Sequence, residues 1–134
     1  MKLIPYLNFK MNAEEAINFY HRALNGQIIS MQRYKDSPME VSEEMNNKVM
    51  HAEYSFNGNT LYFSDSESSN AGDNIALSIQ CGSEEEINAI YNTLSEGGKI
   101  IMPLQDTFWG AKFGSFQDIY DIRWLLNYDK SESK

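Results

Sequence analysis

Two side chains with acid–base chemistry, His51 and Glu53, lie two residues apart in the strand-like segment Val49–Phe56. Because successive strand side chains point to opposite faces, this spacing puts the imidazole and the carboxylate on one face. Glu53 would then orient the imidazole for proton transfer or for ligand contact. Two other roles stay open: a hydrogen-bonded pair buried in a sheet or at a subunit contact, and part of a displaced metal site.

A second group of candidate ligand-binding residues lies in the run from Met102 to Gly114, where aromatic, charged and glycine residues crowd together. The composition predicts a loop that approaches a ligand or a second subunit, since aromatic rings supply contact area and glycine lets backbone come close. Ligand binding and packing across a dimer are both open for it. The candidates for ligand contact in this run are Asp106, Phe108, Trp109 and Phe113.

Three reactive side chains, Asp106, Cys81 and His21, are expected to have structural roles and no catalytic one. Asp106 is expected to cap a turn through Thr107 or to pair with Lys112. The single cysteine, Cys81, can form no internal disulfide and is predicted to be an inert thiol. His21 follows an aromatic pair on the first predicted helix and is expected to be a surface residue.

The elements that must position these side chains occur twice in the same order. Module one, residues 1–68, reads strand, helix from an N-cap at Asn12, and three strands, the last two joined by the hairpin signal Asn57-Gly58. Module two, residues 69–129, repeats that order with a helix that begins after Ser83, and residues 130–134 form a tail. The pattern predicts an α+β fold of two tandem βαβββ modules. The predicted strands are Leu3–Phe9, Gln27–Tyr34, Val49–Phe56, Thr60–Ser64, Asn74–Gln80, Lys99–Met102, Phe113–Gln117 and Ile122–Tyr128.

Composition and charge restrict the class of partner. Hydrophobic residues make up 42% of the 134 residues, which is enough for a packed core. The formal net charge is −8, and the eleven Lys and Arg form no cluster, so nucleic-acid binding is not expected. We see no secretory leader and no apolar run of membrane-spanning length, which predicts a cytoplasmic protein with no membrane partner.

Five segments spread over nearly the whole chain share a more specific pattern. They are residues 5–9 (PYLNF), 16–20 with 24–26 (AINFY and LNG), 50–53 (MHAE), 61–65 (LYFSD) and 102–110 (MPLQDTFWG). Together they resemble the vicinal oxygen chelate superfamily, which includes glyoxalase I, extradiol dioxygenases and bleomycin- and fosfomycin-resistance proteins. Within it the chain is most similar to the PhnB-like branch, the demethylubiquinone methyltransferase-like proteins. This resemblance implies a curved mixed sheet that encloses a cleft, and a homodimer.

Superfamily members of known chemistry hold a divalent metal with side chains, commonly His and Glu, from the first and fourth strands of each module. The corresponding places here fall at or next to Pro5, at Tyr62 or Phe63, at Asn74 and at Trp124. None is a good metal ligand, so we predict neither a metal nor another cofactor. Tyr62 and Trp124 are expected either to line an apolar cleft or to fill it as core.

Three functions follow as hypotheses. The leading one is the binding of an unknown small molecule without a metal. The first alternative is a metal-dependent lyase or dioxygenase-like enzyme with a rearranged site, and the second is a structural or regulatory dimer with a filled cleft. The cleft residues expected under the leading hypothesis are His51, Glu53, Tyr62, Trp109, Phe113 and Trp124.

Overall fold

The computed structural model describes residues 1–130 and confirms the α+β architecture of two successive βαβββ units. The chain divides after residue 70 into two compact units. Residues 131–134 of the predicted tail lie outside the described residues. The first unit contains β1 (Tyr6–Lys10), α1 (Ala13–Leu24), β2 (Gln27–Arg33), β3 (Val49–Phe56) and β4 (Asn59–Ser66). The second contains β5 (Leu77–Gln80), α2 (Glu84–Leu94), β6 (Lys99–Asp106), β7 (Ala111–Gln117) and β8 (Arg123–Asp129).

Each unit has one four-stranded mixed sheet, and the two sheets have the same topology. The strand order is β1-β4-β3-β2 in the first sheet and β5-β8-β7-β6 in the second. In each sheet the first two strands of that order are parallel and the other neighbours are antiparallel. Among residues 1–130, no helix is long and apolar enough to cross a membrane.

One face of the first sheet packs against α1, and burial alternates from residue to residue along β1 and β4, as expected when one face of a sheet is covered. On β4, Leu61 and Phe63 are buried, and the Phe63 ring lies 5.8 Å from the ring of Tyr20 on the helix. The intervening residue, Tyr62, points to the other side and is only half buried. We call that other side the helix-free face of the sheet.

Local turn chemistry explains where several elements begin and end. Asn57 and Gly58 have φ values of 47° and 78°, which is the two-residue hairpin geometry that Asn-Gly favours. Asn25 ends α1 in the left-handed conformation at φ 54°. At the start of α2, the Ser83 hydroxyl accepts a hydrogen bond from the Glu86 amide at 3.1 Å, as its capping sequence predicts.

The prediction of a loop from Met102 to Gly114 is wrong, since most of this run forms a β-hairpin. Strand β6 continues to Asp106, and β7 already begins at Ala111. The turn is closed by Thr107, whose amide donates to the Ala111 carbonyl at 2.8 Å and whose hydroxyl accepts from the Ala111 amide at 3.0 Å. The sequence of β6 shows no alternation of apolar and polar residues, because β6 is an edge strand whose side chains are almost all exposed.

Candidate functional site

A row of side chains crosses the helix-free face of the first sheet. Tyr6 on β1 is opposite Tyr62 on β4, Tyr62 is opposite Glu53 on β3, and Glu53 is opposite Ser30 on β2. Because opposite residues of neighbouring strands lie about 5 Å apart, the four side chains form one continuous surface. Tyr6 lies in the outer strand and is 45% exposed.

His51 joins this row and completes a cluster of three rings. Its Nδ1 lies 2.8 Å from the Tyr6 hydroxyl oxygen, across 45 positions of sequence. The His51 ring centre is 4.7 Å from that of Tyr62 and 5.6 Å from that of Tyr6, and the two tyrosine rings are 5.6 Å apart. We call Tyr6, His51 and Tyr62 the tyrosine–histidine cluster.

The cluster presents both apolar ring surface and directed polar atoms. When the Tyr6 hydroxyl donates to Nδ1, the imidazole carries its hydrogen on Nε2, which becomes the nitrogen that can donate to a ligand. The hydroxyl of Tyr62 adds a second group that can donate or accept. Such a surface can bind a flat molecule by ring contact and orient it by hydrogen bonds.

The structure gives the imidazole a different partner from the one that the sequence suggested. His51 and Glu53 do lie on the same face, but Tyr6 and not Glu53 bonds to the ring nitrogen. Within residues 1–130 the Glu53 carboxylate makes no hydrogen bond or ion pair. Sequence reasoning missed Tyr6 because its contact depends on the pairing of β1 with β4, which no local pattern fixes.

The residues at the superfamily's metal positions do not fit a metal ion. Tyr6 and Tyr62 face the helix-free side in the first unit, and a neutral phenol is a weak ligand compared with imidazole or carboxylate. Asn74 lies before β5 and is exposed. In the part of the chain that the structure describes, no three His, Cys, Asp or Glu side chains are grouped as metal ligands.

Trp124 lies in the core of the second unit, which is the alternative to lining a cleft that was left open for it. It is 1% exposed, and its indole N–H donates to the Asp118 carboxylate at 2.8 Å. On β8 it alternates with Arg123 and Leu125, and it shares its buried side with Leu126. The expectation was one residue out of register, which on a strand exchanges the two faces.

The remaining candidates lie together in the β6–β7 hairpin of the second unit. Trp109 is 57% exposed and its ring lies 6.5 Å from that of Phe113, edge to face. The exposed carboxylate of Asp106 pairs with Lys130, and this contact lowers the pKa of Asp106 below its usual value. Lys112 instead reaches α2, where it bonds to Asn88 at 2.8 Å and to Glu84 at 3.2 Å.

Cys81 and His21 take structural positions. The Cys81 thiol is buried, and burial raises its pKa to about 11, so it is protonated at neutral pH and a poor nucleophile. The exposed His21 lies on α1, and its Nδ1 is 3.2 Å from the hydroxyl of the buried Tyr54.

Comparison with known proteins identifies the family. Residues 1–127 match the family described as 3-demethylubiquinone-9 3-methyltransferase. The chain belongs to that family. Protein PA1353 from Pseudomonas aeruginosa has a similar solved structure, with a TM-score of 0.88 and 32% identity over 96% of this chain and 98% of that one. The solved structure of a PhnB protein from Bacillus cereus is also similar, with a TM-score of 0.80 and 31% identity over 96% of this chain and 99% of that one.

More distant proteins are similar to this chain in sequence or in fold. Protein YjdN of Escherichia coli K12 is 26% identical over 98% of both chains. A glyoxalase/bleomycin resistance protein/dioxygenase family enzyme from Burkholderia phytofirmans is 15% identical, with a TM-score of 0.65 over 92% of this chain and 96% of that one. The family therefore has the glyoxalase-like fold, and the resemblance noted in the sequence is confirmed.

Proposed function

We propose that the protein binds a flat small molecule on the tyrosine–histidine cluster, without the superfamily's metal. The observation that carries this proposal is the 2.8 Å contact between the Tyr6 hydroxyl and His51 Nδ1 on a sheet face that α1 does not cover. We propose that this binding takes place in the cytoplasm. The net charge of −8 would repel nucleic acid, which supports a small molecule as the ligand.

The chemistry of the cluster supports binding over core packing. The core rings of this unit, such as Phe63 and Tyr54, are fully buried, whereas Tyr6 is 45% exposed and Tyr62 is half buried. Exposed aromatic rings that are held rigidly by one another form contact surface at low entropic cost. The hydrogen bond to His51 also fixes the direction of the imidazole before a ligand arrives.

This proposal is tested by comparing the ligand affinities of the wild type and of Tyr62→Ala. In a thermal-shift screen of flat aromatic compounds, a ligand at one hundred times its dissociation constant should stabilise the protein by about 2.7 kcal/mol. Tyr62→Ala removes the ring at the centre of the cluster, so we expect the affinity of each such ligand to fall about tenfold, which corresponds to 1.4 kcal/mol.

A control variant and a metal analysis accompany that experiment. Met39→Ala removes an exposed apolar side chain outside the strands and should leave affinity unchanged. Equal affinity in the wild type and in Tyr62→Ala would contradict the proposed site. Stoichiometric zinc, nickel, manganese or iron in protein purified without chelator, lost in His51→Ala, would contradict binding without a metal.

We also propose that the protein is a homodimer and that the β6–β7 hairpin forms its interface. Five large apolar side chains are exposed along the edge strand β6 and the turn that follows it. Such an exposed apolar edge is typical of a surface that another chain covers. The five residues are Ile100, Ile101, Met102, Phe108 and Trp109.

Replacing Trp109 with alanine tests this second proposal. We expect the dissociation constant of the dimer to rise about thirtyfold, since a central interface tryptophan contributes on the order of 2 kcal/mol. Sedimentation velocity over a concentration series measures the change, with Met39→Ala as the control. An intact dimer that has lost ligand-induced stabilisation would instead assign the hairpin to ligand binding.

A further inference from the structure

Glu53 differs from Tyr6, Tyr62 and Ser30, the other side chains of the row across the helix-free face, because it carries a charge. It lies between Tyr62 and Ser30 in the row across the sheet and is half buried. Arg33, Lys112 and Lys130 form ion pairs with other acids, which are Glu14, Glu84 and Asp106. Among residues 1–130, the carboxylate of Glu53 therefore has no cationic partner.

The basic side chains closest along the same four strands do not neutralise it. Arg33 is held by Glu14, with two nitrogen–oxygen distances of 2.9 Å. Lys10 shares the face of Tyr6 but lies four residues away at the other end of β1, opposite Ser66. A partly desolvated carboxylate that lacks a counter-ion favours the arrival of a cation.

The neighbouring rings favour the same sign of charge. The faces of tyrosine rings are electron-rich and attract a cation that lies over them, more strongly when the cation is desolvated. Tyr62 stands directly beside Glu53, and Tyr6 stands beside Tyr62. The net charge of −8 adds a long-range attraction for cations.

We propose that the ligand of the tyrosine–histidine cluster is an organic cation, a flat ring that carries a protonated amine or a quaternary ammonium group. The ring packs on Tyr6 and Tyr62 while the ammonium group lies against the Glu53 carboxylate. This inference rests on the proposed function and adds the charge of the ligand to it.

Three probes that share one ring and differ in charge test the inference. They are naphthylmethylamine, which is protonated at neutral pH, the neutral naphthylmethanol and the anionic naphthoate. We expect the amine to bind at least about tenfold more tightly than the alcohol at low ionic strength, and naphthoate to bind most weakly. Isothermal titration calorimetry or NMR titration of the full chain gives the three dissociation constants.

Glu53→Gln keeps the shape of the side chain and removes its charge. We expect it to weaken the amine about tenfold and to leave the alcohol unchanged. Glu40→Gln changes the net charge by the same amount at an exposed position outside the strands. It should therefore change neither the affinity for the amine nor the affinity for the alcohol. A similar loss in Glu40→Gln would assign the effect to net charge and overturn the inference.

The remaining outcomes separate this inference from the proposed function. If amine and alcohol bind equally and both are weakened by Tyr62→Ala, the site stands and its preference for cations is overturned. The same conclusion follows if Glu53→Gln leaves the affinity of the amine unchanged. If none of the three probes binds saturably at millimolar concentration, both proposals are overturned.

Discussion

Replacing Asp65 with alanine is expected to lower the free energy of unfolding of the first unit by about 3 kcal/mol. The Asp65 side chain is 1% exposed and accepts two backbone hydrogen bonds, from Ala13 at 2.8 Å and from Val49 at 2.9 Å. Both donors belong to residues that are themselves buried. Bonds to a charged group contribute roughly 1.5–3 kcal/mol each, and the substitution would leave two buried amides without their acceptor.

The position of these two amides explains why the effect should be large. Ala13 begins α1 and Val49 begins β3, so one carboxylate at the end of β4 joins the starts of two elements. Asn12 occupies the N-cap position but makes no side-chain cap, which the sequence did not anticipate. Asp65 supplies that missing cap from 52 residues away and brings a negative charge to the positive end of the helix.

Urea unfolding followed by far-UV circular dichroism measures the loss, and hydrogen exchange at the Ala13 and Val49 amides localises it. Asp65→Asn keeps one acceptor and turns an amide group toward the other donor, so its cost should be smaller, about 2 kcal/mol. Asp73→Ala removes an exposed carboxylate and should change stability by less than about 0.5 kcal/mol. Equal stability of Asp65→Ala and Asp73→Ala would contradict the structural role.

Local signals were sufficient to predict the order of elements. The helical spacing of Ala16, Ile17 and Tyr20 predicted α1, and these residues are all buried. Asn57-Gly58 predicted the hairpin because few other dipeptides accept two positive φ angles. These features depend on residues that are close in sequence, so they can be inferred without knowing which strands pair.

The β6–β7 hairpin shows where a local pattern gives no signal. An edge strand exposed on both sides needs no alternation of apolar and polar residues, so composition alone suggested a loop from Met102 to Gly114. Thr107 closes the turn with its backbone and its side chain together. A threonine can take this role, but its presence in the sequence does not predict it. The structured part of this run is therefore longer than its sequence indicated.

The candidate site could be predicted only in part because it combines residues from three strands. The spacing of His51 and Glu53 correctly put them on one face, which is a property of a single strand. The bond from Tyr6 to His51 requires the parallel pairing of β1 with β4 and the register of β4 with β3. Only the tertiary fold supplies that information.

Replacing Asp118 with alanine should destabilise the second unit by a similar amount, about 3 kcal/mol. The Asp118 carboxylate is 2% exposed and accepts from the amides of Tyr120 at 2.8 Å and Ile122 at 3.1 Å through one oxygen. Its other oxygen accepts the indole N–H of Trp124 at 2.8 Å. One side chain thus shapes the turn between β7 and β8 and also satisfies the only polar atom of a buried indole.

A double-mutant cycle with Trp124→Phe separates these two roles. Phenylalanine keeps a buried ring but has no N–H, so the bond to Asp118 is removed while the turn bonds remain. We expect a coupling energy on the order of 1 kcal/mol between Asp118→Ala and Trp124→Phe, measured by urea unfolding followed by circular dichroism. Additive losses would show that the indole bond contributes nothing to stability. A measurable coupling would instead show that this bond helps to hold the Trp124 indole in the core of the second unit.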